Sequence, residues 1–454
     1  MPSRRGVRAA FAVLLVASVA GLAYGAATAP TTASAADVPR PEPRDSVTVV
    51  TESAKFGTTI AWHPNGSLLH YDDDHTKYFD VDPVANESLT VEYAATDTLH
   101  ARSERCTDPP CTRNVIERLN LSTGETEEVY ARYDYRETAG EWHDHVRVDD
   151  SRILIADIVD DQVFLVDTET ELVEWRWDAQ SDFPVTGGGD YPGDWAHIND
   201  VSLLADGRVM VSLRNQDSVV FLDRETGLVE GWTLGEDGDH ETLYEQHNPD
   251  YIPAERGGPA VVVADSENAR IVEYQRVDPE TGEPTAAADG EWTRTWEWAD
   301  DRLQWPRDAD RLPNGHTLIA DTHGKRVVEV DESGEVVWSV PVSHPYEVER
   351  LGTGPESAGG QSAASLNLTS RTTAGGGDGG LRVFHAMGDL LSLIVPPQVV
   401  NGVFYVAPVW MGRPELFAAS VGLLSALSWG AVELRWRLPG YGLRWPVYRR
   451  DDGE

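Results

Sequence analysis

The sequence is poor in lysine and cysteine, and these two shortages narrow the possible functions before any motif is considered. Only Lys55, Lys77 and Lys325 are lysines, and Lys plus Arg number 37 against 76 Asp plus Glu. Nucleic-acid binding requires clustered basic side chains that neutralise phosphates, so this charge balance argues against a nucleic-acid partner. Two cysteines are too few for a disulfide-scaffolded module or a cysteine-based zinc site.

The acidic excess, a formal net charge of −39, predicts a strongly solvated surface that stays soluble at high salt. In this respect the chain resembles proteins of extreme halophiles. The two cysteines, Cys106 and Cys111, flank the tight sequence Thr-Asp-Pro-Pro, and we predict that they form a disulfide. A disulfide indicates an oxidising compartment outside the cytoplasm.

Both ends of the chain carry long apolar segments. Arg4, Arg5 and Arg8 precede the apolar run 9–27, which predicts that residues 1–36 are a cleaved signal peptide or an N-terminal membrane anchor. In either case the central domain is expected outside the cell. A Gly/Ser-rich flexible linker is predicted over residues 352–380.

A membrane-associated region is predicted over residues 388–434, with a basic and then acidic tail over 435–454. We favour one crossing through residues 416–432, because the positive-inside rule then puts the arginine tail in the cytoplasm. The first apolar stretch, 390–411, is interrupted by two prolines and is expected to be interfacial or re-entrant. An arrangement with two spans remains open. The predicted location is the cell membrane, with the central domain on the extracellular side.

The central part of the chain consists of short alternating apolar runs separated by Asp-Gly, Asn-Gly and Thr-Gly turns. Residues 197–234 show the unit most clearly, as four strands of an antiparallel meander. The turn between the first two strands recurs at Gly66, Ser151, Gly207, Gly258 and Gly315. The long gap after Gly66 leaves room for one more unit. We therefore predict an all-β six-bladed β-propeller of four-stranded antiparallel blades over residues 52–345, with hydrophobic helices at both ends.

Polar residues of several blades are predicted to meet at one mouth of this propeller. In a meander, the residues before the first strand and after the second lie on the same rim, and the first strand is innermost. The residues before the first strands are His143, His197, Asn199, His247 and Arg307, and those after the second strands include Arg214, Ser266, Thr322 and His323. We interpret Asp144, Asp200, Asp250 and Asp308, at similar places in four blades, as structural turn or cap residues.

This set suits transfer of an anionic group through a covalent histidine intermediate. A neutral imidazole is the nucleophile, and cationic and amide side chains stabilise charge on the transferred oxygens. The sequence has no convincing serine nucleophile, phosphate-binding glycine loop or metal-ligand set, so we predict neither a cofactor nor a metal.

At these residues, over roughly 52–342, the chain resembles the arylsulfotransferase (aryl-sulfate sulfotransferase) family. The most specific parts are His197-Ile198-Asn199, Arg214 and Gln246-His247. The resemblance implies an exported six-bladed propeller that moves a sulfuryl group from an aryl sulfate to a phenolic acceptor through sulfohistidine. It implies that His247 is the nucleophile and that His197, Asn199 and Arg214 bind sulfuryl oxygens. Further substrate contacts are expected from His143, His145, Thr322, Arg307 and His323. His143 and His145 are alternatives for the same substrate contact.

The chain departs from well-known bacterial members, because it lacks their separate N-terminal β-domain and carries a membrane-anchoring tail. Two alternatives remain open at this point. One is a non-catalytic, membrane-tethered propeller that binds anionic or sulfated ligands or scaffolds envelope proteins. The other is a propeller hydrolase or lyase that acts on surface glycans. The sequence does not indicate an oligomeric state.

Overall fold

Antiparallel sheets form most of the regular structure of the chain. The structure is a computed structural model that describes residues 3–28, 34–54, 56–134, 140–372, 396–408, 410–437, 441–442 and 448–449. Within these residues, six sheets of at least four strands follow one another along the chain. The described residues between 34 and 372 and those from 396 to 401 form one compact unit, and the described terminal segments form a second unit.

The strands of the first three sheets are β1 (Thr48–Glu52), β2 (Thr59–Trp62) and β3 (Leu68–Asp72); β4 (Lys77–Pro83), β5 (Thr90–Leu99), β6 (Cys111–Asn120) and β7 (Glu125–Asp134); and β8 (Trp142–Arg147), β9 (Arg152–Asp157), β10 (Gln162–Asp167) and β11 (Leu172–Asp178). The strands of the next three are β12 (Ile198–Leu203), β13 (Val209–Leu213), β14 (Ser218–Asp223), β15 (Gly227–Leu228) and β16 (Leu234–Gly235); β17 (His247–Ile252), β18 (Ala260–Asp265), β19 (Arg270–Val277) and β20 (Glu291–Trp298); and β21 (Pro306–Arg311), β22 (Thr317–Asp321), β23 (Arg326–Val330) and β24 (Val336–Pro341).

The last propeller strand, β25 (Pro345–Arg350), returns to the first sheet and closes the ring. It pairs antiparallel with β1, with Val49 opposite Glu349 and Val50 opposite Val348. The innermost strands β25, β4, β8, β12, β17 and β21 contact one another in that order around the axis. The predicted six-bladed propeller is confirmed. Its strands extend to Thr48 and Arg350, beyond the expected 52–345, because blade one is assembled from both ends of the domain.

The hydrophobic core lies between neighbouring blades. Six clusters of buried apolar side chains each join two adjacent sheets. Between blades three and four, for example, Leu154 and Val163 pack against Val209, Val211 and Val220, all fully buried. Successive side chains of a strand point to opposite faces of its sheet, so strands that are buried at every position, such as β13 and β18, pack against both neighbouring blades. Each buried aliphatic side chain contributes about 1.5–3 kcal/mol of transfer free energy.

The turns between the first two strands lie at the rim opposite the predicted mouth. Gly207 and Gly315 adopt φ values of 90° and 88°, which a side chain would oppose. In blade five this turn contains an extra 3₁₀ turn, Ala254–Arg256, and the left-handed residue is Gly257 (φ 92°) rather than the expected Gly258.

Residues 352–372, the first part of the predicted flexible linker, carry ordered structure on the propeller. They include a 3₁₀ turn, Pro355–Ser357, and a short helix, α2 (Ala363–Leu366), named after the N-terminal helix α1 (Arg4–Thr28). The Ala363 amide donates to the buried Glu273 carboxylate (2.7 Å), and Arg371 forms a β-bridge with Trp298. The rest of the predicted linker, 373–380, lies outside the described residues.

The remaining helices are α3 (Pro397–Val406) and α4 (Arg413–Arg437), followed by a two-residue strand pair, β26 (Tyr441–Gly442) and β27 (Tyr448–Arg449). Helix α3 begins at the second proline of the interrupted stretch, because proline is favoured at the first helical position. Residues 388–395 lie outside the described residues. Within the described part of the chain, α1 and residues 414–437 of α4 are long and apolar enough to cross a membrane, with mean hydropathy of 2.0 and 1.4.

Helices α1 and α4 pack against each other antiparallel within the second unit. Phe11 stacks on Trp429, with ring centroids 6.2 Å apart, and Arg8 Nη2 lies 2.8 Å from Glu433 Oε2. In the propeller, the predicted disulfide between Cys106 and Cys111 is confirmed. It closes the loop between β5 and β6.

Candidate functional site

The mouth of the propeller is surrounded by one side chain from each blade at the same position of the innermost strand. In blades three and six, Trp142 lies opposite Asp157 and Pro306 opposite Asp321. In blades three, four and six the next residue falls at a register shift, and in blade five the shift directly follows the equivalent residue, His247. The side chains at that position are Phe79, His143, Asn199, His247, Arg307 and Tyr346.

The tautomer of His247 is set by the hydrogen bond of its Nδ1. Its Nδ1 lies 2.8 Å from Ser266 Oγ, whose own hydrogen is directed to the Pro306 carbonyl at 2.7 Å. Ser266 therefore accepts from Nδ1–H, and the lone pair of the neutral ring is on Nε2. Burial, followed by the charges of Arg307 and Arg214, lowers the pKa of His247 well below the usual value. The imidazole is neutral at physiological pH.

Arg214 and His197 form a second group beside it. Arg214 leads a 3₁₀ turn after β13 and makes an ion pair with Glu245. Its Nη1 is 3.2 Å from His197 Nδ1, which in turn lies 2.6 Å from Asp194 Oδ1. Burial and Arg214 lower the pKa of His197, while Asp194 acts in the opposite direction. A negatively charged ligand beside this pair would favour the protonated imidazole.

Asn199 and Gln246 tie this group to the strand that carries His247. The Asn199 Nδ2 donates to the Gln246 carbonyl at 2.8 Å. The Gln246 side-chain amide donates to the Leu213 and Ser218 carbonyls at 3.3 and 2.9 Å, on either side of the Arg214 turn. These bonds fix the position of Arg214 relative to His247, which comes directly after Gln246.

Aromatic rings line the rest of the mouth. His143 stacks on Phe79 at a centroid distance of 4.4 Å and meets the rings of His197 and Tyr346 edge to face at 4.9 and 5.7 Å. The Arg307 guanidinium lies over Tyr346, 4.9 Å from the ring centroid. Burial, and then His197, lowers the pKa of His143 well below the usual value, so this ring is also neutral.

Residues 126–343 match the family model described as "Arylsulfotransferase (ASST)". They form an arylsulfotransferase family domain. The matched segment runs from the outer strand of blade two to the end of blade six, so it contains His143, His197, Arg214 and His247. The arylsulfotransferase match therefore covers the mouth residues of blades three to six, whereas Phe79 and Tyr346 lie outside it. No curated protein matches the chain significantly.

Solved structures that resemble this chain are distant in sequence. A protein of unknown function from Bacteroides caccae is 12% identical, covering 67% of this chain and 97% of that one (TM-score 0.43). The periplasmic gluconolactonase of Pseudomonas aeruginosa is 12% identical, covering 68% and 99% (TM-score 0.42). Virginiamycin B lyase of Staphylococcus aureus is 8% identical, covering 66% and 85% (TM-score 0.37).

Three predicted substrate contacts lie in other surroundings. His145 lies between Asp80 and Glu92, with its Nδ1 on Asp80 and its Nε2 3.8 Å from Glu92. Burial lowers the pKa of His145, but these carboxylates outweigh it and raise the pKa to about 9. The Thr322 hydroxyl donates to the Pro345 carbonyl at 2.7 Å, between blades six and one. His323 packs on Trp305 at 4.3 Å, and its Nδ1 is 3.3 Å from Asn401 Oδ1.

Sequence reasoning missed the contributions of Phe79 and Tyr346 to the mouth. Both belong to a short motif in which the mouth residue is followed by an acid: Phe79-Asp80 and Tyr346-Glu347 repeat the arrangement of Arg307-Asp308. That repeat was readable in the sequence. The predicted propeller boundary at 345 concealed Tyr346, because the strand that carries it completes blade one from the far end of the chain.

Proposed function

We propose that the protein is an aryl-sulfate sulfotransferase that works through a sulfohistidine at His247. The family match supports sulfotransferase activity in general. The observation that carries the finer assignment is the hydrogen bond from His247 Nδ1 to Ser266, because it leaves Nε2 as the lone-pair nitrogen of a neutral imidazole. His247 Nε2 makes no hydrogen bond within the described part of the chain.

In the first step, the Nε2 lone pair attacks the sulfur of an aryl sulfate. The N–S bond forms as the S–O bond to the aryl group breaks, and the phenolate leaves with the bonding electron pair. The hydrogen on Nδ1 stays on the ring and remains hydrogen-bonded to Ser266 Oγ. Arg214 and Arg307, whose charges both act on His247, would stabilise negative charge on the sulfuryl oxygens and on the leaving phenolate.

In the second step, the hydroxyl of a phenolic acceptor attacks the same sulfur. The N–S bond breaks, its electron pair returns to Nε2, and a new aryl sulfate departs. The acceptor proton passes to His143, a neutral imidazole whose buried Nδ1 has no partner within the described residues. One hydrogen of the Asn199 amide is engaged by Gln246, which leaves the other for a sulfuryl oxygen. The rings of Phe79 and Tyr346 provide apolar surface for the aryl groups.

The terminal helices and the disulfide support a membrane-anchored protein with its propeller on the extracellular side. Helices α1 and α4 have the length and composition of membrane spans. The Cys106–Cys111 disulfide suits an oxidising compartment. Protease added to intact cells should remove the propeller and leave the α1 and α4 segments protected. Protection of the propeller until the cells are lysed would contradict this orientation.

The test uses 4-nitrophenyl sulfate as donor and phenol as acceptor, with the full-length protein in detergent. The proposal predicts nitrophenol release that depends on phenol, together with formation of phenyl sulfate. Both should be abolished in His247→Ala and reduced by at least about a hundredfold in Arg214→Ala, the effect of removing one oxyanion donor. His63→Ala is the matched control, because His63 is an exposed histidine at the opposite rim.

Two outcomes would contradict the proposal and identify its rivals. Nitrophenol release without an acceptor would indicate a sulfate hydrolase. Saturable binding of the aryl sulfate without turnover, unchanged in His247→Ala, would indicate a non-catalytic binding propeller. Mass spectrometry of protein quenched with donor alone adds an independent readout, because His247 should then carry one sulfuryl group.

A further inference from the structure

The nucleophile and its neighbours at the mouth are buried. His247 is 1% exposed and Arg307 is 6% exposed, while Asn199 is fully buried. An aryl sulfate must reach His247 Nε2, so the imidazole has to be uncovered in each turnover. The blades offer little freedom for this, because β25 pairs with β1 and closes the ring. A segment outside the sheets must therefore move aside.

Residues 396–401 dock onto the propeller although they belong to no sheet. They lie well beyond the last propeller strand in sequence but form one compact unit with the blades. Asn401 is 7% exposed, whereas Val399 in the same helix α3 is 53% exposed. The segment therefore presents Asn401 to the blades and Val399 to the outside.

The side-chain amide of Asn401 joins blades five and six at the mouth. Its Nδ2 donates to Glu267 Oε2 at 2.9 Å. Its Oδ1 accepts from Gln304 Nε2 at 3.3 Å and lies 3.3 Å from His323 Nδ1. Glu267 directly follows Ser266, which accepts from His247 Nδ1. We call these three contacts of Asn401 the latch.

Ring contacts connect the latch to the nucleophile. His323 packs on Trp305 at a centroid distance of 4.3 Å, and Trp305 meets His247 edge to face at 5.8 Å. The Arg307 guanidinium lies over the same indole, 4.2 Å from its centroid. When Asn401 withdraws, His323 loses a contact that holds it on Trp305, and the cover of His247 is loosened.

The latch is weak enough to open during turnover. Its strongest bond is the one to the Glu267 carboxylate, because a hydrogen bond to a charged group is roughly twice as strong as a neutral one. The two contacts at Oδ1 are longer than the usual N–H···O distance of about 2.9–3.0 Å. Burial raises the pKa of Glu267 to about 7, and the hydrogen bond from Asn401 acts in the opposite direction. A short segment docked through one buried side chain opens far more readily than a blade whose strands are paired.

We propose that residues 396–401 form a lid on the sulfuryl-transfer site, which the Asn401 latch holds closed. The lid opens to admit the aryl sulfate and the phenol, and it closes over the sulfohistidine between the two steps. A closed lid excludes water, so the sulfuryl group passes to the phenol rather than to water. This role rests on the proposed function, because it takes His247 as the reacting residue.

The first experiment measures access to His247 without any turnover. Diethyl pyrocarbonate acylates a neutral imidazole at its lone-pair nitrogen, and mass spectrometry of the peptides gives the rate at each histidine. The reagent is added to the full-length protein in detergent at about pH 8, where Glu267 is ionised. His247 should react slowly, at a rate set by lid opening. The exposed His63 at the opposite rim is the internal reference.

Asn401→Asp should open the latch without changing the size of the side chain. It replaces the donated hydrogen by a carboxylate that faces Glu267, and like charges repel. Loss of a hydrogen bond to a charged group shifts an equilibrium about tenfold or more, so acylation of His247 should be faster by at least that factor. The double variant Asn401→Asp/Glu267→Gln should return the rate to near that of the parent, because the new amide donates to the new carboxylate. Val399→Ala, at an exposed position of the same segment, is the matched control and should react like the parent.

Three outcomes would overturn the lid. Equal acylation rates of His247 in Asn401→Asp and in the parent would show that the latch does not control access. A faster rate that the double variant does not reverse would show that Asn401 only packs against the blades. Acylation of His247 in the parent as fast as that of His63 would show that the site is already open. If Asn401→Asp does not fold, Asn401→Ala removes the latch without adding a charge and carries the same prediction.

The second experiment follows the sulfuryl group on His247 after the donor alone is added. The adduct should hydrolyse at least about tenfold faster in Asn401→Asp than in the parent, and the double variant should restore its lifetime. An unchanged lifetime in Asn401→Asp would show that the lid does not exclude water and would overturn that role. Failure of the parent to form any adduct would instead contradict the proposed function, while the acylation rates would still decide whether the lid exists.

Discussion

Ser266→Ala is the substitution that most directly tests how His247 is activated. The serine hydroxyl accepts from His247 Nδ1 at 2.8 Å and donates to the Pro306 carbonyl at 2.7 Å. Without the hydroxyl, the tautomer with its lone pair on Nε2 loses its preference, and Nδ1–H is left buried without an acceptor. An unmade bond of this kind costs about 1–3 kcal/mol. Since about 1.4 kcal/mol is tenfold, we expect kcat/KM for the donor to fall about tenfold.

The loss should appear in the first step, measured as single-turnover release of nitrophenol. Ser218→Ala is the matched control, because Ser218 is a buried serine whose hydroxyl donates to a backbone carbonyl, that of Gln216, at 2.7 Å. Both variants should lose about 1 kcal/mol in free energy of unfolding. Ser266→Thr keeps the hydroxyl and should recover part of the rate.

A nitrogen-15 spectrum of the imidazoles provides a readout that does not depend on turnover. His247 should show Nδ1–H in the parent and a mixture of tautomers in Ser266→Ala. The reasoning is refuted if Ser266→Ala slows the first step no more than Ser218→Ala does, while His247→Ala abolishes it. Ser266 would then be a structural link between blades five and six, and another group would set the tautomer.

Three further predictions concern pH and covalent stability. The fall of kcat/KM at acid pH should begin well below pH 6.5, because the lowered pKa of His247 keeps its imidazole neutral down to that range. A fall that begins near pH 7 would contradict this. Burial of His75 lowers its pKa, but Asp97 and Glu117 outweigh this and raise it to about 9. The charged His75 therefore stabilises the fold by up to about 3 kcal/mol, fully below about pH 6.5 and progressively less as the pH rises through 9. His75→Gln should flatten this part of a plot of unfolding free energy against pH, and an unchanged plot would refute the prediction. Reduction of the Cys106–Cys111 disulfide should cost about 2 kcal/mol, the loop-closure value for so short a loop, as checked by denaturant unfolding with and without reductant.

The alternating apolar pattern and the regularly spaced turns were sufficient to predict six blades. A small sheet cannot bury its apolar side chains alone, and stacking against neighbouring sheets provides that cover. The same pattern predicted the outer strands of blade two, although its inner turn does not match the others. It did not reveal that β25 completes blade one, because pairing between the two ends of a domain leaves no local signature.

The candidate site was predictable in part. The placement of His143, Asn199, His247 and Arg307 follows from their common position before the first strands, and the structure brings them to one mouth. His145 lies two residues beyond His143 but belongs to a buried ion pair with Asp80. Only the packing of blade two against blade three decides that difference.

By itself, the sequence determined the repeat, the helical ends, the disulfide and the residues that start each inner strand, because all of these depend on local pattern and spacing. Only the tertiary structure decided which ring nitrogen of His247 carries the hydrogen and which carboxylates surround His145. The reason is physical: the hydrogen bond from His247 Nδ1 to Ser266 and the contact of His145 with Asp80 join residues of different strands, and no local pattern specifies those distances.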